Sequence, residues 1–359
     1  MHTFEMICCL SKEMYEYLHD NLPSLTRASE RVERTNYYSA KGIMQIELRT
    51  YNYSKKKDDE AVQKYYLVLR CNPSIIMGDS KILLVDLEKY TSAEIIERLL
   101  KRIYEINEFR YIRLHELPIM VFLVNRVDIA TDLITDYPQL LVWLCNMSFP
   151  YGYRKMKRKT IYKETDRLYV ESCCFYNKSR AVNIYYKWIA LVNTGKTVPK
   201  EEQQRIKKTV RAEIQIEKSG IYNMKLPTKR SIEPFLQKAF CMDYLKKEIK
   251  NIFGIEKYVS RRKAVEIINN SQYKTYEKAV MLSIVDMIQQ YKGLYELEKA
   301  IADPKVYTPT QYGSIRSFKE RWLKKFKQLG IQPVVIPDSI GIDEMPSVYS
   351  LLVEESEEI

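Results

Sequence analysis

Two polar strand faces in the chain could do phosphate chemistry. In Val124-Asn125-Arg126-Val127-Asp128-Ile129-Ala130-Thr131-Asp132-Leu133, strand alternation puts Arg126, Asp128, Ala130 and Asp132 on one face, and Val127, Ile129, Thr131 and Leu133 on the other. Carboxylates of this kind hold a hard cation, and a guanidinium beside them suits a phosphate. Asp128 and Asp132 lie roughly 13 Å apart on a regular strand. They share one ion only if the strand bends or ends between them; the plain alternative is a solvated acid pair with an Arg–Asp bridge. The second face lies in Val210-Arg211-Ala212-Glu213-Ile214-Gln215-Ile216-Glu217, where Arg211, Glu213, Gln215 and Glu217 alternate with apolar residues. Half-exposed antiparallel strands also look like this.

A nucleophile is available in Asn177-Lys178-Ser179-Arg180-Ala181-Val182-Asn183-Ile184-Tyr185-Tyr186-Lys187. The alternation sets Ala181, Asn183, Tyr185 and Lys187 on one face and Val182, Ile184 and Tyr186 on the other, so Tyr186 is the packing residue and Tyr185 the reagent. A tyrosine hydroxyl titrates near ~10, and as a nucleophile at neutral pH it needs a cation, a base or a metal beside it. Lys187 is positioned by the same alternation to supply that charge. Tyr176 is a second candidate. Upstream, Arg154, Lys155, Lys157, Arg158, Lys159 and Lys163 precede any acid, with Tyr151, Tyr153 and Tyr162 among them. Such a segment binds a nucleic-acid backbone and offers rings for stacking; its plain alternative is a solvated basic loop.

The whole chain shares that bias. It carries a net charge of +12, and seven acids with no Lys or Arg follow Lys327, so residues 1–327 hold about +19. A surplus of this size attracts polyanions, with an anionic membrane surface as the rival partner to nucleic acid. The apolar share of 46% and only 10 Gly and 13 Pro exclude disordered and fibrous classes. Seven cysteines show no zinc spacing and no disulfide framework, and the longest apolar run, Leu117 to Val124, is too short to cross a bilayer. A cytoplasmic protein with no membrane partner is expected.

The elements that must position these residues follow from periodicity. Thr3–Leu10, Gly42–Tyr53, Lys64–Cys71, Pro118–Leu133, Leu168–Cys174, Ala181–Ile189 and Thr209–Glu217 read as strands; Lys12–Asn21, Ser92–Ile106 and Lys200–Lys208 read as helices. Strands with a few helices and no regular strand–helix repeat predict an α+β fold with a mostly antiparallel sheet. After Leu226-Pro227-Thr228 the spacing turns helical. The expected organisation is an α+β domain over 1–226, a helical domain over 227–337 and an acidic tail over 338–359. Within the helical part, Phe318, Trp322 and Phe326 lie on one face of a helix over Ser314–Gln328 that stops at Gly330. The basic Arg261-Arg262-Lys263 opens another helix, with a DNA-binding helix pair and a solvated helix start as the two readings.

Taken together and in this order, Asn72–Gly78 (NPSIIMG), RVDIATD, YNKSRAVNIYYK, VRAEIQIE and SIRSFKERWLKKFKQLGI, with Pro333 and Pro337 after it, resemble the gene II replication initiators of filamentous phages and related phage or plasmid replication proteins. The likeness spans roughly residues 65–337. It implies that Tyr185, in an Arg-x-x-x-x-Tyr-x-Lys strand with Arg180 and Lys187, attacks a phosphodiester at a replication origin. The family's Arg-x-Asp strand falls on Arg126 and Asp128, and its Arg-x-Glu strand on Arg211 and Glu213. The implied fold is similar to that of HUH endonucleases but lacks their histidine pair, because the chain has only His2, His19 and His115, none so paired.

The expectation from this resemblance is a rolling-circle initiator that nicks one strand of a duplex origin through a tyrosine–5′-phosphate link. Asp128, Glu213 and Asp132 would hold Mg²⁺ or Mn²⁺, and Tyr185, Lys187, Arg180 and Arg126 would act on the phosphate. Arg154, Lys155, Lys157, Arg158, Lys159 and Arg211 would bind origin DNA, duplex and single-stranded, with a host helicase and polymerase as further partners. Two rivals stand beside it. A non-catalytic DNA-binding regulator needs neither Tyr185 nor a metal, and a mobilisation relaxase differs only in acting on a transfer origin.

Overall fold

The computed structural model describes residues 1–53, 62–80, 82–156, 172–303, 305 and 313–357. The fold is mixed α+β, with a large antiparallel sheet and many helices. Two compact units interleave along the chain: Met1–Ala130 with Lys178–Ala181 and Glu213–Asp243 form one, and Thr131–Asn177 with Val182–Ala212 and Tyr244–Ile359 form the other. Neither is one continuous stretch of sequence.

In the first unit, β1 (Thr3–Leu10), β2 (Thr26–Ser29), β3 (Val32–Thr35), β4 (Ile43–Tyr53) and β5 (Val62–Cys71) precede β6 (Leu123–Ile134), whose first part belongs here. The order is β2-β3-β4-β5-β1-β6, and each of these pairings is antiparallel. Alternation in β1 buries Phe4, Met6, Cys8 and Leu10. Its polar face meets the polar face of β6, because the register sets Thr3 opposite Asp128 and Glu5 opposite Arg126. The helix Ser92–Tyr104 starts at a capping box made by Thr91 and Glu94 and buries Ile95, Leu99 and Ile103. Each such aliphatic side chain contributes about 1.5–3 kcal/mol by leaving water.

The second unit takes the end of β6, then β7 (Arg154–Lys155), β8 (Ser172–Tyr176), most of β9 (Arg180–Tyr186) and the start of β10 (Thr209–Glu217), in the order β6-β10-β9-β8-β7. The helix Pro138–Ser148 is buried on most sides, through Leu140, Leu141, Val142, Leu144, Cys145 and Met147. Phe149, just after it, stacks on Phe175 of β8 with ring centroids 3.7 Å apart. The helices Arg261–Asn270, Thr275–Gln290 and Leu294–Ala302 follow.

Near the end of the chain, residues 315–328 are helical with a π-helical stretch at Phe318–Leu323, and Phe318, Trp322 and Phe326 are all buried as their spacing predicts. Gly330 ends the run with a left-handed φ of 70°. After it come β12 (Glu344–Met345), which pairs with the earlier β11 (Tyr258–Val259), and the helix Val348–Glu357, which buries Val348, Leu351 and Leu352. Among the described residues no helix is long and apolar enough to cross a membrane.

Three elements differ from the periodicity. β9 stops at Tyr186, and Lys187 is the first residue of the helix Lys187–Asn193 rather than a strand residue. Ile119–Val121 form a 3-10 turn, so β6 begins at Leu123. Of the strand expected over Leu168–Cys174, residues 168–171 lie outside the described residues, and β8 runs on to Tyr176.

Candidate functional site

β1 and β6 build the first part of a site by their register. The His2 backbone N–H donates to the Asp128 carbonyl at 2.9 Å, which fixes the residue just before β1. The Thr3 hydroxyl donates to Asp128 Oδ2. Two positions before Asp128 and on the same strand face, Arg126 closes a two-pronged ion pair, Nε to Oδ1 at 2.7 Å and a terminal nitrogen to Oδ2 at 2.8 Å. The Arg–Asp bridge weighed from spacing is therefore present, yet it is not solvated, since Asp128 is only 2% exposed.

Glu213 enters from β10. His2 Nδ1 lies 2.8 Å from Glu213 Oε2, and one ligand atom each from His2, Asp128 and Glu213 lies within 4.8 Å of the other two. Burial pushes the Asp128 carboxyl above its usual range; the bonds from Arg126 and Thr3 oppose this, and the Glu213 charge adds to it. An imidazole nitrogen and two carboxylates form a donor set suited to Mn²⁺ and similar divalent ions. Each carboxylate has about four lone-pair positions; Arg126 and Thr3 take three of those on Asp128, and an ion at the remaining one would bring its charge against the Arg126 guanidinium. The residues present fit such an ion.

Asp132 has a different role from the ligand expected of it. Its carboxylate accepts from Arg211 Nε at 2.6 Å, from a terminal nitrogen of Arg211 at 3.0 Å and from Lys187 Nζ at 2.6 Å. Both cations are nearly sealed from water, with side chains 3% exposed for Lys187 and 4% for Arg211. Burial opposes ionisation of Asp132, but Arg211 and Lys187 outweigh it and hold the carboxyl far below its usual range. Burial and the Arg211 charge pull the Lys187 ammonium below its usual value, against Asp132.

The tyrosines separate as strand parity predicts. Tyr186 is buried and donates its hydroxyl to the Lys207 carbonyl at 2.9 Å, whereas Tyr185 is half-buried. Lys187 does not share the strand face of Tyr185, because the strand has ended. Tyr176 is exposed at the end of β8 and stands opposite Arg154 of β7. Arg180 is half-buried at the start of β9.

Arg154 and Lys155 are exposed on β7, and Lys157, Arg158 and Lys159 lie outside the described residues. Arg211, expected to face DNA, is instead buried against Asp132.

Sequence reasoning missed His2. Its only local signal is a position one residue before a strand, and nothing in the sequence tells which strand β1 pairs with. No protein-family model, no curated protein and no solved structure matches the chain.

Proposed function

We propose that this chain is a metal-assisted tyrosine endonuclease that nicks one strand of a replication origin to start rolling-circle replication of a phage or plasmid. The observation that carries the reading is the meeting of His2, Asp128 and Glu213 within 4.8 Å in a chain of net charge +12. The resemblance to gene II type initiators supports the same reading, as does the half-buried setting of Tyr185 against the packed Tyr186. An HUH-like arrangement without the histidine pair belongs to this proposal, as do a cytoplasmic location and host helicase and polymerase partners.

In this reading His2, Asp128 and Glu213 would hold Mg²⁺ or Mn²⁺. When bound, such an ion neutralises charge developing on the scissile phosphate. Tyr185 gives up its proton and forms a Tyr Oη–phosphorus bond as the bond from phosphorus to the 3′ oxygen breaks. That oxygen takes a proton and leaves as a 3′ hydroxyl, while the 5′ phosphate stays on the tyrosine. The ester energy is conserved for a later strand transfer. Arg126, whose side chain is 21% exposed, binds phosphate in this scheme. Arg154 and Lys155, with the basic residues that follow, bind the DNA backbone through charge.

The test is conversion of supercoiled DNA carrying the cognate origin to open circles in Mn²⁺ or Mg²⁺. The reading expects nicking by the wild type and none by Tyr185→Phe. A regulator would bind the same DNA and leave it intact, and a relaxase would act on a transfer origin instead.

A further inference from the structure

Asp128 already holds a cation in this structure, and that cation belongs to the protein. Arg126 satisfies both of its oxygens at 2.7 and 2.8 Å. A divalent ion at His2, Asp128 and Glu213 would place its charge against this guanidinium, so the two compete for one carboxylate. Their settings differ: the Asp128 side chain is 3% exposed and fixed by its strand, whereas the Arg126 side chain is 21% exposed and carries its charge on a long flexible stem. The arginine is the partner able to move.

We infer that Arg126 is a resident counter-ion, exchanged for a divalent cation when a phosphodiester arrives, so that ion and nucleic acid bind cooperatively. The inference rests on the metal reading proposed above and specifies how that site loads. Without a phosphate, an entering ion must break this two-pronged pair, and the guanidinium keeps only the charges of Glu217 and Glu213 near it. With a phosphate, the guanidinium trades one two-pronged acceptor for another, and Asp128 is released to the ion. By linkage, whatever factor the phosphate adds to ion affinity, the ion must add to phosphate affinity.

The experiment titrates Mn²⁺ into the full chain, following free Mn²⁺ by electron paramagnetic resonance, with and without a short oligothymidylate whose own Mn²⁺ binding is subtracted. The wild type is expected to bind Mn²⁺ about tenfold more tightly with the oligonucleotide, within the usual span of coupling between sites. Arg126→Met is expected to bind Mn²⁺ tightly without it and to gain little from it. Asp128→Asn is expected to weaken Mn²⁺ binding in both conditions.

A wild-type measurement guards against misfolding of Arg126→Met: oligonucleotide affinity, measured in chelator and in saturating Mn²⁺, must rise by the same tenfold. Saturable Mn²⁺ binding indifferent to the oligonucleotide, or a coupling that survives Arg126→Met in a folded protein, overturns the exchange and leaves the metal site standing. No saturable Mn²⁺ binding in any variant overturns the metal reading and the exchange with it.

Discussion

Lys187 and Arg211 converge on the single carboxylate of Asp132, with Nζ at 2.6 Å and Nε at 2.6 Å. Removing one partner of a buried ion pair leaves the others charged and desolvated, which costs about 3–5 kcal/mol. Asp132→Ala should therefore lower the denaturant midpoint strongly while leaving Mn²⁺ affinity within about twofold of wild type. Equal losses of Mn²⁺ affinity in Asp132→Ala and Glu213→Gln would return Asp132 to the ligand set.

The same carboxylate sets a pH dependence of stability. Its folded pKa is held below the unfolded value, so its contribution is full above about pH 4 and fades as pH falls below the unfolded carboxyl range towards the folded pKa. Urea midpoints measured from pH 6 downwards should fall more steeply for wild type than for Asp132→Asn. Parallel curves would mean that the pair contributes nothing through charge.

For the metal centre, His2→Ala and Glu213→Gln should each weaken Mn²⁺ binding by at least about tenfold. Chelation should abolish nicking and Mn²⁺ restore it. Unaltered Mn²⁺ affinity in His2→Ala would reduce the His2–Glu213 contact to a structural hydrogen bond.

The two adjacent tyrosines should part company. Tyr186→Phe loses a hydrogen bond to the Lys207 carbonyl and should cost about 1 kcal/mol of stability while retaining nicking. Tyr185→Phe should abolish nicking. Stability and activity assays on both variants decide it, and loss of nicking in Tyr186→Phe alone would exchange their roles.

The acidic C-terminal residues already engage a basic segment. Glu344 pairs with Lys257 at 2.6 Å and Asp343 with Arg262 at 2.8 Å, and all four side chains are well exposed. Exposed pairs are weak, so the double variant Asp343→Asn, Glu344→Gln should raise DNA affinity only about two- to fivefold at low salt, with the gain vanishing at high salt. Unchanged affinity at low salt would exclude Lys257 and Arg262 from DNA contact. Deleting the segment is a poorer test, because Val348, Leu351 and Leu352 are buried there.

Much of the fold was legible where one face of an element is buried and the other wet. Thr3–Leu10, Lys12–Asn21 and Thr209–Glu217 have the limits their periodicity predicts. The helix Pro138–Ser148 was not legible, since an element apolar on nearly every side shows no period, and β2, exposed throughout, has no apolar alternation to reveal it. Tyr185 was separable from Tyr186 because parity survives as far as residue 186; Lys187 was misplaced because the strand becomes a helix one residue later. His2 and the partners of Asp132 depend on which strands pair and in which register, and those long-range choices leave no mark on local spacing.

In the proposed scheme Tyr185 forms a covalent link to DNA. Incubating the protein with cognate origin DNA and Mn²⁺, digesting it, and mapping nucleotide-bearing peptides by mass spectrometry tests this directly. A 5′-phosphate adduct is expected on Tyr185, absent in Tyr185→Phe and absent in chelator. Open-circle product with no protein–DNA adduct, or an adduct on Tyr176 that persists in Tyr185→Phe, would contradict it.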